Sequence, residues 1–405
     1  MSTFPRETPP APFSIGELRS RRALMRAAAT AHGAEVVLAY GANRTGSAIP
    51  WLTTWPVTRE ALFVLPPDGA GQLLVGFHNH VPDARRTVLD AGLGDAVGPI
   101  GDDPAHAAVR ALRRLGPARP VGLVGPVPAR IRDAVGEWAS AVVVLDEHYT
   151  RLRMVKSDEE LRWLEHAAAL TDLAAEALLD AAGQGADERE MVAAAEHAYR
   201  TKGGTHHICY VTTTSMSAPD RCVPAQWPSE RRTRPGAVVI FELSAGWGPD
   251  HPAQLLRTAT VGAEPTALYR RLHEIAETVR DEVMGRLRAG VLPAELPASL
   301  RHVRAEGMTT VDDLIHGLGG GYLPPVLSGR DLTPRGLHAE PLRAGTTLVV
   351  QPNICTPDFR AGVQTGEMVV VTDTGCRSLH RFPPGLLTLP FAPSTARDRT
   401  AAQER

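Results

Sequence analysis

The sequence predicts an α+β protein of two domains, a smaller α/β domain over residues 15–148 followed by a larger α+β domain over residues 150–390. Three observations carry this prediction. The chain has 405 residues, more than a single hydrophobic core ordinarily organises. Its first half alternates short apolar runs with helix-like stretches, the pattern of a compact α/β unit. Its second half opens with two helical patterns, and strand-like runs then gather around one long helix. Residues 1–14 and 393–405 read as flexible ends.

In the first domain, residues 35–40, 61–65 and 72–76 are short apolar runs of strand type. Asp68 and Gly69 between the last two signal a hairpin turn. Residues 105–115 and 129–139 read as helices, and 121–124 and 141–145 as further strands. The boundary is marked by Ser157 and Glu160, an S-x-x-E capping box that opens a helix running to about residue 182. Leu161, Leu164, Ala168 and Leu173 give that helix an apolar stripe. A second helix is predicted over 187–201. Strands follow at 209–213, 238–243 and 256–261, then a long helix at 266–289 and closing strands at 346–351 and 368–372.

Bulk chemistry narrows the function. A hydrophobic content of 43% and a charged content of 22% are ordinary for a soluble globular protein. A formal net charge of −2 supplies no field for nucleic acid or for an anionic membrane. Arg231, Arg232 and Arg234 form a small basic group that reads as a solvated turn. No apolar run approaches the length of a membrane span, and the N-terminus lacks the apolar core of a signal peptide. The four cysteines, Cys209, Cys222, Cys355 and Cys376, form no CxxC pair, which argues for a reducing, cytoplasmic setting. Cys222 could serve as a nucleophile only beside a base, and its own stretch, DRCVPA over 220–225, supplies none.

Six fragments, taken in order, resemble the creatinase/Xaa-Pro aminopeptidase (pita-bread metallopeptidase) family. RMVKS at 153–157, followed by Glu160, is similar to its entry helix. RPGAVVIFE at 234–242 is similar to its turn and first metal strand, and LRTATVG at 256–262 to its TRTxxxG strand. HGLG at 316–319 is similar to its GHGIG loop, VVQPN at 349–353 to its EPG segment, and GEMVVVT at 366–372 to its last metal strand. Residues 43–55 lie near the family's YLTG segment, a looser match to the creatinase-type N-terminal domain. The resemblance implies a pita-bread C-terminal domain. It also implies a homodimer in which the N-terminal domain of one subunit lies near the other's cleft.

The family pattern holds two divalent cations with two Asp, one His and two Glu. Carried onto this sequence, those positions fall on Glu242, Gln254, His316, Gln351 and Gly366. Most of the anionic ligands are thus gone. Amide oxygens are poorer ligands for hard cations, and two dications would keep most of their charge uncompensated in a half-buried cleft. Glu367 restores a carboxylate only if a bulge at Gly366 turns it into the cleft, because strand side chains alternate faces. No cofactor is therefore expected, with room left for one weakly held divalent metal on Glu242, His316 and Glu367. The candidate catalytic residues are Glu242 as base or orienter, His316 as proton donor or acceptor and Glu367 as a second carboxylate. The candidate substrate-binding residues are Gln254, Gln351, Tyr322 and one of His206 and His207, which as strand neighbours face opposite ways. The expected activity is metal-independent hydrolysis of an amide or other C–N bond in a small amino-acid-like or peptide-like metabolite, with a biosynthetic role on the same scaffold. The alternatives are a non-catalytic pita-bread binding module and an atypical metal-dependent Xaa-Pro peptidase.

Overall fold

The computed structural model describes residues 9–328 and 335–393. Most of the two expected flexible ends, 1–8 and 394–405, lies outside these. The chain divides between Met154 and Val155 into two compact units.

The first unit contains α1 (Ile15–Ala31), β1 (Val36–Ala42), α2 (Ala48–Thr53), β2 (Glu60–Leu65), β3 (Gln72–Val75) and α3 (Val81–Asp90). It continues with β4 (Ala96–Pro99), α4 (Pro104–Arg113), β5 (Pro120–Val124), α5 (Ala129–Trp138), β6 (Ala141–Val144) and α6 (Asp146–Met154). Its six strands lie in the order β4-β3-β2-β1-β5-β6. β1, β2 and β3 pair antiparallel, through the turn that holds Gly69 at φ 71, and the outer pairs are parallel. Helices α1, α2, α3 and α6 and strand β4 have no counterpart among the sequence assignments. At the start of the unit Phe13 is buried, with the Arg21 guanidinium 3.9 Å over its ring.

The second unit contains α7 (Asp158–Gly183), α8 (Glu188–Arg200), β7 (Thr205–Ser215), β8 (Ala237–Trp247), β9 (His251–Val261), α9 (Ala267–Arg286) and α10 (Arg301–Ala305). Then come β10 (Asp313–Leu318), β11 (Tyr322–Ser328), β12 (Thr347–Val350), β13 (Asn353–Cys355), β14 (Gly362–Gln364), β15 (Gly366–Val371), β16 (Cys376–Ser378) and β17 (Leu387–Leu389). Ser157 and Glu160 form the reciprocal capping box that starts α7, and Asp187 and Glu190 form a second one at α8, so each helix begins where its orphan N–H groups find side-chain oxygens.

A curved sheet runs β11-β10-β12-β15-β9-β8-β7, with β16 and β17 at its margins. Along β8, Val239, Phe241 and Leu243 pack with Leu170, Ala174 and Leu178 of α7. Val238 and Ile240 point the other way, onto Leu272, Ile275 and Val279 of α9. Strand alternation thus gives one sheet two apolar faces, and each fully buried aliphatic side chain contributes about 1.5–3 kcal/mol. The polar residues of the cleft interrupt the α9 side of this pattern.

The glycine-rich run after His316, expected as a loop, is a hairpin. His316 lies inside β10, whose partners are β12 and β11. The turn is made by Gly319, Gly320 and Gly321, all at positive φ, where glycine has no Cβ penalty.

Candidate functional site

Strand register brings four predicted residues together. Glu242 on β8 lies opposite Leu256 of β9, and Gln254 lies two residues before Leu256 on the same strand face. Gln351 follows β12 directly, and His316 of β10 is paired with Val349, two residues before Gln351. The result is a continuous hydrogen-bonded chain. The Gln254 amide nitrogen donates to Glu242 Oε1 at 2.7 Å and to Gln351 Oε1 at 3.1 Å. His316 Nε2 lies 3.2 Å from the same Gln351 oxygen, and His316 Nδ1 lies 3.1 Å from the Gly317 carbonyl.

Only one end of this chain is open. Gln254, Gln351 and His316 are 1%, 2% and 0% exposed, whereas Glu242 is half-buried. Tyr322 stacks on the His316 ring, 3.9 Å between centroids, and its hydroxyl donates to Asp313 Oδ2 at 3.0 Å. The histidine expected to handle protons in the open cleft thus lies behind a tyrosine.

Burial raises the Glu242 carboxyl to about 8, with the charge of Asp312 adding to the effect. Burial lowers the His316 imidazole to about 4. Both groups are therefore neutral around pH 7. The heavy-atom positions admit two proton arrangements. In one, Gln254 donates to an ionised Glu242, and His316 donates to Gln351. That leaves an unprotonated Nδ1 against the Gly317 carbonyl unless the ring is charged. In the other, both amides are turned over. Glu242 then donates as a carboxylic acid, and His316 donates from Nδ1 to Gly317 and accepts at Nε2. The second arrangement satisfies a neutral Glu242 and a neutral His316 together.

Asp312, which no motif marked, completes the polar cluster. Burial raises its carboxyl, and it accepts from Gln364 Nε2 at 3.2 Å. Of the two neighbouring histidines, His206 turns to Tyr199 and Glu196 of α8, with Nδ1 at 3.0 and 3.3 Å. His207, at a break in the β7–β8 register, is the one whose charge acts on His316.

Glu367 does not join them. β15 pairs with β12 in unbroken register, Thr347 with Val370 through Val350 with Glu367, so the bulge that would have redirected it is absent. Its carboxylate is held instead by the Arg257 guanidinium at 2.7 Å.

The five positions do not fit a pair of dications. Glu242 is the one carboxylate among them, and Gln254 closes directly on it. A Cβ on Gly366 would lie 2.3 Å from the Val350 carbonyl oxygen and 2.7 Å from the Gln351 Cα, so that position has no room for any side chain. Among the described residues, no three His, Cys, Asp or Glu are grouped to hold a metal ion.

The fold nevertheless has a clear place. The sequence profile of metallopeptidase family M24 matches residues 162–373, more than half of the chain, and the protein belongs to that family. A probable dipeptidase PepE of Mycobacterium tuberculosis is 24% identical over 344 residues, covering 82% of this chain and 87% of the relative. An Xaa-Pro dipeptidase of Pyrococcus furiosus is 25% identical over 248 residues, 60% of this chain and 68% of the relative. In structure, the X-Pro aminopeptidase of Thermotoga maritima superposes with a TM-score of 0.77 at 16% identity, over 91% of this chain and 99% of that one. Dipeptidase PepE of Mycobacterium ulcerans superposes with a TM-score of 0.76 at 21% identity, over 94% and 100%. The architecture is the pita-bread fold with its N-terminal α/β domain.

Proposed function

We propose that the protein hydrolyses an amide or other C–N bond of a small amino-acid-like or peptide-like substrate by general acid–base chemistry, with Glu242 as the proton-handling group and no metal pair. The observation that supports this reading is the closed chain Glu242–Gln254–Gln351–His316, with its single opening at Glu242. A carboxylate titrating near 8 is a far stronger base, once ionised, than one of ordinary acidity. In the proposed step Glu242 takes a proton from water as the water oxygen bonds to the substrate carbonyl carbon. The same proton passes to the leaving nitrogen as the C–N bond breaks, giving a carboxylic acid and an amine. Gln254 orients Glu242, and Gln351 with His316 holds Gln254. Tyr322 and His207 would meet substrate.

The dipeptidase names of the relatives favour a second reading, a metal-dependent peptidase acting on dipeptides. One experiment separates the two. The full chain is stripped with a chelator and assayed against dipeptides, including Xaa-Pro, and N-acyl amino acids, with and without added manganese or cobalt. Metal-free turnover that rises with pH towards 8, and that Glu242→Gln lowers by about 10²–10⁴, is the expected result. Turnover only with added metal supports the peptidase. No turnover under any condition, with the fold intact, leaves a binding module.

A further inference from the structure

A second reactive cluster lies on the hairpin that begins two residues beyond Gln351. Cys355 of β13 and Gly362 of β14 are cross-strand partners. Where a side chain at 362 would stand beside Cys355, Cys222 stands instead. A Cβ on Gly362 would lie 2.3 Å from the Cys222 carbonyl oxygen and 2.8 Å from the Cys222 Cβ. The Cys222 segment is fixed there by the parallel bridge of Arg221 to Ala361 and by Asn353 Nδ2 donating to the Cys222 carbonyl at 3.3 Å. Far apart in sequence, the two cysteines are thus neighbours, and the Cys355 thiol donates to the Thr309 carbonyl at 3.5 Å. Cys222 is 8% exposed and Cys355 is 0% exposed.

Their surroundings set them apart from the other two thiols. The neighbouring Cys355 thiol brings the Cys222 thiol down to about 7, against the opposing effect of burial. Burial, with the charge of Glu196, drives Cys209 up to about 12. Burial and the charge of Glu367 raise Cys376. The thiolate is the nucleophile, so at neutral pH the reactive sulfur is that of Cys222.

We propose that Cys222 and Cys355 form a redox-modification site, which hydrogen peroxide converts to a disulfide that staples the Cys222 segment to the β13–β14 hairpin. The Cys222 sulfur attacks one peroxide oxygen, the O–O bond breaks, and hydroxide leaves and becomes water, giving a sulfenic acid. The Cys355 sulfur then attacks the sulfenic sulfur. The S–S bond forms, the S–O bond breaks, and a second water leaves with the Cys355 proton. Two thiols and one peroxide thus give one disulfide and two waters. Cβ atoms on facing cross-strand positions are close to the separation a disulfide needs, and the Cys222 Cβ stands 2.8 Å from where a Cβ of residue 362, the partner of Cys355, would lie. This site is independent of what the cleft does.

The full chain is treated with hydrogen peroxide at pH 7, alkylated and mapped without reduction. The expected product is a Cys222–Cys355 cross-linked peptide, reversed by dithiothreitol and formed at least about tenfold faster than any modification of Cys209 or Cys376. In Cys355→Ser, Cys222 is trapped as a sulfenic acid that labels with dimedone, whereas the wild-type chain resolves it. Two results on the wild-type chain overturn the proposal whatever the variant does: alkylation of Cys222 and Cys355 undiminished by peroxide, or oxidation of Cys222 to sulfinic acid with no cross-link.

Discussion

Two carboxylates flank β9, and the sheet treats them in opposite ways. Glu367, on β15, faces Arg257, a fully buried guanidinium. Arg257 gives its remaining N–H groups to the carbonyls of Pro383, Leu256, Gly366 and Phe382. Glu242, on β8, meets no cation among the described residues. It meets the amide of Gln254 and carries a carboxyl raised to about 8. One strand supplies both partners, an amide at 254 and a guanidinium at 257, on opposite faces of the sheet. The lesson is that a carboxylate removed from water is either paired or neutral. In this protein the paired one is structural, and the neutral one lies where the family resemblance puts a metal ligand.

The largest effect that tests this contrast is expected at the charged pair. Arg257→Met leaves Glu367 without its cation and removes the guanidinium hydrogen bonds to four carbonyls, and it should cost about 3–5 kcal/mol in urea-induced unfolding. A loss below about 1 kcal/mol would make the pair no more than a surface contact and erase the distinction. At the neutral centre the effect lies in its pH dependence. The folded value for Glu242, about 8, lies above its ordinary 4.5, so the unfolded chain releases this proton first. The stability contributed by the neutral carboxyl is complete below pH 4.5 and is lost as pH rises to about 8. The stability of wild type minus that of Glu242→Gln should therefore fall across that window by up to about 1.4 kcal/mol per pH unit. A flat difference would mean that Glu242 is ionised in the fold and holds a cation. The smallest effect is expected at the rim. Tyr322 is 54% exposed, so Tyr322→Phe, which loses the bond to Asp313, should cost no more than about 1 kcal/mol. A larger loss would make the tyrosine part of the core.

Much of this arrangement could be read before any coordinates. The capping box at Ser157 fixed the start of α7 because its two reciprocal hydrogen bonds are local. The meeting of Glu242, Gln254, His316 and Gln351 followed from motif order, since each lies on or beside a strand whose neighbours the family resemblance supplied. Four features were hidden for physical reasons. The orientation of Glu367 depends on the register of β15 against β12, which a single residue inverts. The hairpin around His316 was masked by three glycines that carry no strand propensity, although they form only its turn. Asp312 and the Cys222–Cys355 contact arise from tertiary packing between distant segments and leave no local pattern.

The central claim is that a neutral, hydrogen-bonded chain stands where the family resemblance implies a metal pair. Elemental analysis of the full chain, purified with excess manganese or cobalt and then desalted, tests it most directly. The account predicts no stoichiometric metal and an unchanged unfolding midpoint when either ion is added. Two tightly retained equivalents per chain, lost in Glu242→Gln, would contradict it.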